Sequence, residues 1–198
     1  GAVHIPPPPA DVPGLMHDLM AFANRTDLSA IAQAAIVHAQ FESIHPFTDG
    51  NGRLGRALIG AVLRQRGLTT VVTVPIAAAM LSNVDDYFEQ LAKYRAGDVN
   101  SFVRYLGTAT LASARAAETS ADYLATLPQM WRELVSPRAG SAAESLINSL
   151  LQNPTMNLAT AVSVTMVTPA KALAAIDRLV DEGVLREITH GARNRIWV

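Results

Sequence analysis

Cysteine is absent from this 198-residue chain, so neither disulfides nor thiolate metal centres can hold it together. An excess of either charge is absent too. Sixteen Lys and Arg stand against 17 Asp and Glu, a formal net charge of −1. That excludes a chain-wide basic field for nucleic acid or anionic membrane, and any anion site must be local. No apolar run reaches the ~18–20 residues of a membrane helix. The longest, over residues 71–81, is interrupted by Thr73 and Pro75. No basic region followed by an apolar block opens the chain, so no secretory signal is read. A cytoplasmic protein with no membrane partner is expected. Gly1 stands where an initiator Met would, so a trimmed sequence with further residues upstream is expected. Internal repeats are lacking, and the four prolines of 6–9 are the one biased tract. What the chain does have is 49% hydrophobic and 17% charged residues, enough to bury a core.

The expected fold class is mainly α. Residues 1–13 read as an extended, proline-rich leader, because proline fixes φ and lacks an N–H. Residues 14–117 carry helical periodicity. One helix is expected over 28–44 with Ser29 as N-cap, ending before Pro46. Others are expected over 53–66, 83–94 and 99–117. The β-branched stretch 69–74 is too short and isolated for a sheet. Residues 118–141 read as a separate linking helix (120–135) and a linker, SPRAGSA. From 142 to 198 the order is helix, helix, helix, hairpin. Thr168-Pro169 starts the third helix strongly, with an N-cap followed by proline in the first turn. VLREI and RIWV flank a turn-rich HGARN. That order is the one of a small winged helix-turn-helix domain.

The chemistry concentrates in residues 45–56, HPFTDGNGRLGR. Gly50, Asn51 and Gly52 open a helix directly. Glycine lets successive N–H groups point into one concavity, and the helix start adds its positive dipole end. Arg53 and Arg56, three apart, face the same side and suit a polyphosphate. Asp49, just before this hole, would be repelled by phosphates unless a cation lay between, and Mg²⁺ takes one carboxylate plus phosphate oxygens. His45 stands four residues earlier, and a free imidazole, which titrates near neutrality, can take a proton from an attacking hydroxyl. Phe47 reads as a packing anchor for the loop. Singly, these residues are a turn, a helix-end histidine and a solvated face. Together in twelve positions they describe attack of a hydroxyl on a Mg²⁺-bound nucleotide phosphate.

The stretch resembles the Fic signature, H-P-F-x-(D/E)-G-N-G-R-x-x-R, at every defined position. PPPPADVPGLM and AAIVHAQFESI before it and DYFEQL and GDVNSFVRYL after it agree, over about residues 6–117. The resemblance implies a compact helical Fic-type domain that transfers AMP from ATP to a Ser, Thr or Tyr hydroxyl of a target protein. It implies His45 as general base, Asp49 as the Mg²⁺ ligand, and Gly50, Asn51 and Gly52 around the phosphate. Arg53 and Arg56 would hold the phosphate tail, and Tyr87 and Leu91 would flank the adenine. The family's inhibitory pattern, (S/T)-x-x-x-E-(G/N), finds one Glu-Gly, at Glu182-Gly183, with Arg178 in the serine position. No inhibitory helix is therefore read. The target-holding flap expected ahead of the prolines has only residues 2–5 available, so it too is expected upstream.

Residues 142–198 resemble the winged-helix modules appended to Fic proteins, with LVDEGVLREITHGARNRIWV carrying the likeness. Two uses stay open: DNA binding through Lys171, Arg193 and Arg195, or contact with protein, including a second copy of the chain. The alternatives to an adenylyltransferase are a nucleotide-sensing, DNA-binding regulator, and a Fic enzyme that moves another group or removes AMP. A structural adaptor is argued against by the intact acid, histidine and arginines.

Overall fold

The computed structural model describes residues 4–71, 74–189, 191 and 194–198. The chain divides into two compact units, residues 1–118 and 119–198. The first is built from α1 (Val12–Ala23), α2 (Ala30–Ile44), α3 (Asn51–Gln65), α4 (Ile76–Leu81), α5 (Val84–Arg95) and the first part of α6 (Val99–Val135). The second holds the rest of α6, then α7 (Ala142–Ser149), β1 (Met156–Asn157), α8 (Leu158–Thr165), α9 (Pro169–Asp181) and β2 (Ile196–Trp197).

In the first unit α2 is the central helix. Nine of its fifteen residues are buried, including polar Gln33, His38 and Glu42. Its small residues Ala34, Ala35 and Ala39 let neighbours approach, and Phe41 and Ile44 fill the space between them. Leu19 of α1, Ile59, Val62 and Leu63 of α3, Tyr87 and Leu91 of α5, and Phe102 and Leu106 of α6 complete this core. Gln33 donates to the carbonyls of Phe22, Ala23 and Arg25 and accepts from Arg66, whose guanidinium also reaches Thr26 O and Leu28 O. One buried amide and one arginine thus satisfy the connection between α1 and α2 and pin the C-terminal end of α3 to it.

Three expectations are corrected. Val12 and Pro13 belong to α1, because proline is compatible with a first turn whose N–H groups have no intrahelical partner. The helices expected over 99–117 and 120–135 are one helix of 37 residues. AAETSAD at 116–122 holds neither glycine nor proline, so nothing interrupts the backbone there, and even Pro128 is carried inside the helix. In the second unit β2 pairs antiparallel with β1, Met156 opposite Trp197, which adds a strand just ahead of α8. Residues 186–188 still pair with 196–198, through Arg186 N–H to Val198 O and Ile188 N–H to Ile196 O. The core of this unit is Leu146, Ile147, Met156, Ala161, Ala172, Ile176, Leu179 and Trp197, all nearly inaccessible.

Among the described residues, no single helix is long and apolar enough to cross a membrane.

Candidate active site

α2 ends at Ile44, and His45 follows in left-handed backbone, φ +49° and ψ +59°. A β-carbon makes that conformation costly by about 1 kcal/mol, so a non-glycine residue there signals a constraint. Its N–H still bonds Phe41 O at 2.9 Å, while the imidazole side is exposed. The chain turns out of the helix at the histidine instead of before it.

The loop 46–50 then closes on itself. Asn51, 2% exposed, donates from Nδ2 to Phe47 O at 2.6 Å and accepts at Oδ1 from Phe47 N–H at 3.0 Å. This pairing holds Phe47's backbone. Its ring is half exposed and 6.4 Å from Phe41, so the loop is anchored by the asparagine more than by the expected aromatic. Asp49 Oδ1 accepts from Gly50 N–H at 2.7 Å, and Oδ2 accepts from Arg53 Nη2 at 3.2 Å. Both side chains of that ion pair are largely exposed, so water screens it and it stays exchangeable.

Gly50 has φ +84°, where a β-carbon is disfavoured, and α3 begins at the next residue. The N–H groups of Asn51, Gly52 and Arg53 lie in the first turn, where no intrahelical acceptor exists. None of them has a partner among the described residues. Both guanidinium groups fold back over this end of the helix. A methyl group at Gly50 would stand 3.4 Å from Arg53 Nη2, and one at Gly52 would stand 3.1 Å from Arg56 Nη1. The glycines keep the helix start open and let two cations lie against it, which makes an anion-binding surface of N–H donors and guanidinium forks.

A cavity of about 660 Å³ lies beside His45. Leu91 lines it from α5, together with Asp85, Phe88, Glu89 and Arg95, and His4 and Pro6 of the leader form another wall. Tyr87 is not among these residues. It is buried, with its hydroxyl 3.1 Å from His38 Nε2 and its ring among Phe88 and Tyr105. Burial pushes the Tyr87 hydroxyl well above its ordinary range and pushes His38 down to about 4, so both are neutral inside the fold. Of the cavity residues that the sequence does not announce, three stand close to the end of α2. His4 bonds Ser43 O at 2.8 Å, with its ring 6.5 Å from that of His45. Arg95 donates to Glu42 O at 3.0 Å. Glu42 is the third, and its signal was a charge on the buried face of AAIVHAQFESI.

Among the described residues no group of three His, Asp or Glu could hold a metal by itself. Asp49 offers one exposed carboxylate beside an anion surface, a donor set that fits an ion such as Mg²⁺ that brings phosphate oxygens and waters as its other ligands. In the second unit Lys171 is exposed in the first turn of α9. Arg195 is engaged by Glu187 at 2.7 Å and lies 4.8 Å over the Trp197 ring. Arg193 lies outside the described residues.

Residues 1–63 match the family model described as Fic/DOC, and the match includes the whole stretch 45–56. A protein adenylyltransferase Fic of Nematostella vectensis is 34% identical over 110 residues, which cover 54% of this chain and 24% of that protein. A probable protein adenylyltransferase of Aquifex aeolicus is 43% identical over 72 residues, 36% of this chain and 22% of that protein. A protein adenylyltransferase Fic of Drosophila willistoni is 31% identical over 160 residues, 77% of this chain and 29% of that protein. The matches thus span under a third of the length of these relatives. The crystal structure of a Fic family protein from Desulfovibrio desulfuricans superposes with a TM-score of 0.58 at 22% identity, over all of this chain and 57% of that one, a likeness of fold.

Proposed function

We propose that the chain is a protein adenylyltransferase, moving AMP from ATP to a hydroxyl of a target protein. One juxtaposition carries the reading. His45 is exposed and held in strained backbone, one loop ahead of three unspent N–H groups overlaid by two guanidinium forks. The names of the relatives support it.

His45 removes the proton from the target hydroxyl, and that oxygen forms a bond to the α-phosphorus. The bond from the α-phosphorus to the oxygen bridging to the β-phosphate breaks, and pyrophosphate leaves with the electron pair. The N–H groups of Asn51, Gly52 and Arg53 bind the charge on the transferred phosphate, and Arg53 and Arg56 bind the phosphates that leave. Asn51 serves through its main chain, since its amide is spent on Phe47. Mg²⁺ held at Asp49 would neutralise phosphate charge. Arg53 now occupies one oxygen of that carboxylate and would turn to the phosphates instead. The cavity walled by Leu91, Phe88 and Arg95 has the volume for a nucleoside.

Incubating the protein with α-labelled ATP, Mg²⁺ and cell lysate tests this. Labelled protein is expected with the wild type and none with His45→Ala. Equal labelling by both would remove His45 from the reaction, and label from γ-labelled ATP would replace adenylyl by phosphoryl transfer.

We further infer that residues 142–198 form a winged helix-turn-helix module. Three helices followed by the paired stretches 186–188 and 196–198 support it. The engagement of Arg195 by Glu187 favours a protein contact over DNA. A gel-shift series at low and rising salt checks this, and a retarded complex lost with salt would reverse the preference.

A further inference from the structure

Glu42 is 6% exposed, and its Oε1 has no hydrogen-bond partner among the described residues. A carboxylate in that state is costly, and an apolar side chain would pack the site at lower cost. Its surroundings explain why a charge is kept there. Glu42 lies three residues before His45 and lines the same cavity. Burial pushes its carboxyl up, while the positive charges of His45, Arg56 and Arg95 pull it back toward the ionised form. Space for it comes from α3: a methyl group at Gly55 would collide with Glu42 Oε1. Gly55 falls at an undefined position of the motif, and nothing in phosphate binding requires it.

His45 is faced by other charges. His4 approaches edge-on from the leader, Arg95 of α5 lines the same cavity, and Arg56 of α3 acts on Glu42. Asp85 and Glu89, also on α5, are exposed, and Glu89 is tied to Lys93 at 2.7 Å. Glu42 is thus the carboxylate of this set that water screens least.

We propose that Glu42 is a positioning residue for His45: its shielded carboxylate stabilises the imidazolium formed when His45 takes up the hydroxyl proton, and Gly55 is a glycine to seat that carboxylate. The proposal rests on His45 acting as the base. The proton passes from the target hydroxyl to His45, Glu42 stays ionised throughout, and the imidazolium gives the proton to solvent after transfer.

Glu42→Gln keeps the shape and removes the charge. The His45 imidazole resonance, identified by its loss in His45→Ala, should titrate about 0.5–1 pH unit lower in Glu42→Gln than in the wild type. That measurement needs neither nucleotide nor target. In transfer from labelled ATP with Mg²⁺, the acid limb of kcat/KM should move to lower pH by a similar amount. There kcat should fall roughly tenfold, with KM for ATP changed by less than about twofold. The melting temperature should hold or rise, since a buried charge has been removed. Gly55→Ala should reproduce the His45 shift by displacing the carboxylate. An unmoved His45 midpoint in a folded Glu42→Gln overturns the proposal, as does activity lost through a lower melting temperature and a raised KM with an unmoved acid limb. A shifted His45 midpoint in a protein that transfers no label supports the pairing and rejects the transferase reading instead.

Discussion

Residues 1–118 bury Gln33, His38, Glu42, Asn51 and Ser113, whereas the buried residues described in 119–198 are all apolar in type. Burying a polar group costs about 1–3 kcal/mol unless a hydrogen bond offsets it. Gln33 and Asn51 are offset in full, and both use main-chain partners to fix a connection, one between α1 and α2 and the other ahead of α3. His38 and Glu42 are offset only in part, and both face Gly55, one residue before Arg56. The second unit follows the ordinary rule that a core is built from apolar contacts, down to Ile176 and Trp197. The difference teaches where this chain spends stability: of the three described buried side-chain atoms without a hydrogen bond, His38 Nδ1 and Glu42 Oε1 lie beside Gly55, and the third, Trp197 Nε1, is the one polar atom the second core leaves unpaired.

The largest effect expected concerns chemistry alone. His45→Ala should lower transfer by about 10²–10⁴-fold, as removal of a general base does, with little change in melting, because the side chain is exposed. A matching loss of stability would erase the contrast between a polar site and its supporting core. Next, Ile176→Ala should cost about 2–5 kcal/mol through the cavity it leaves. Both tryptophans, Trp131 and Trp197, lie in the second unit, so intrinsic fluorescence in urea reports on it directly. Labelling by the first unit should persist at urea concentrations where that fluorescence has already changed.

The pH dependence of stability should separate the units as well. His38 is pushed down to about 4 by burial, whereas an unfolded histidine titrates near 6.5. Between those values the unfolded chain binds a proton that the fold refuses. Stability is therefore complete above about 6.5, falls as pH drops through the window and levels off below about 4. The loss is on the order of 3 kcal/mol. Circular dichroism in urea over that window should show it in the wild type and show a flatter profile in His38→Gln. The smallest effect belongs to Asn157→Ala. Its Oδ1 accepts from Thr160 N–H at 2.9 Å and caps α8, and its loss should cost about 1 kcal/mol, read as a lower fluorescence midpoint.

The twelve residues 45–56 were legible because their chemistry is local. Glycines at a helix start, a carboxylate before them and arginines three apart act through short-range backbone geometry. Their spacing alone therefore supports the proposal of a phosphate site. The helix ends at Ile44 and near Gly67 were legible for the same reason, proline and glycine being local signals. The continuity of α6 was not, because nothing in the sequence there says whether a helix should pause. Neither was the pairing of Met156 with Trp197, which joins residues 41 positions apart.

By itself the sequence determined the motif, the helical class and the absence of any disulfide or chain-wide charge. Only the tertiary structure decided that Asn51 locks the loop, that Tyr87 belongs to the core, and that Glu42 meets Gly55 and lines a cavity with His45. Those relations join α2, α3 and α5. A contact between helices depends on which faces packing brings together, and no spacing along a single strand of sequence records that.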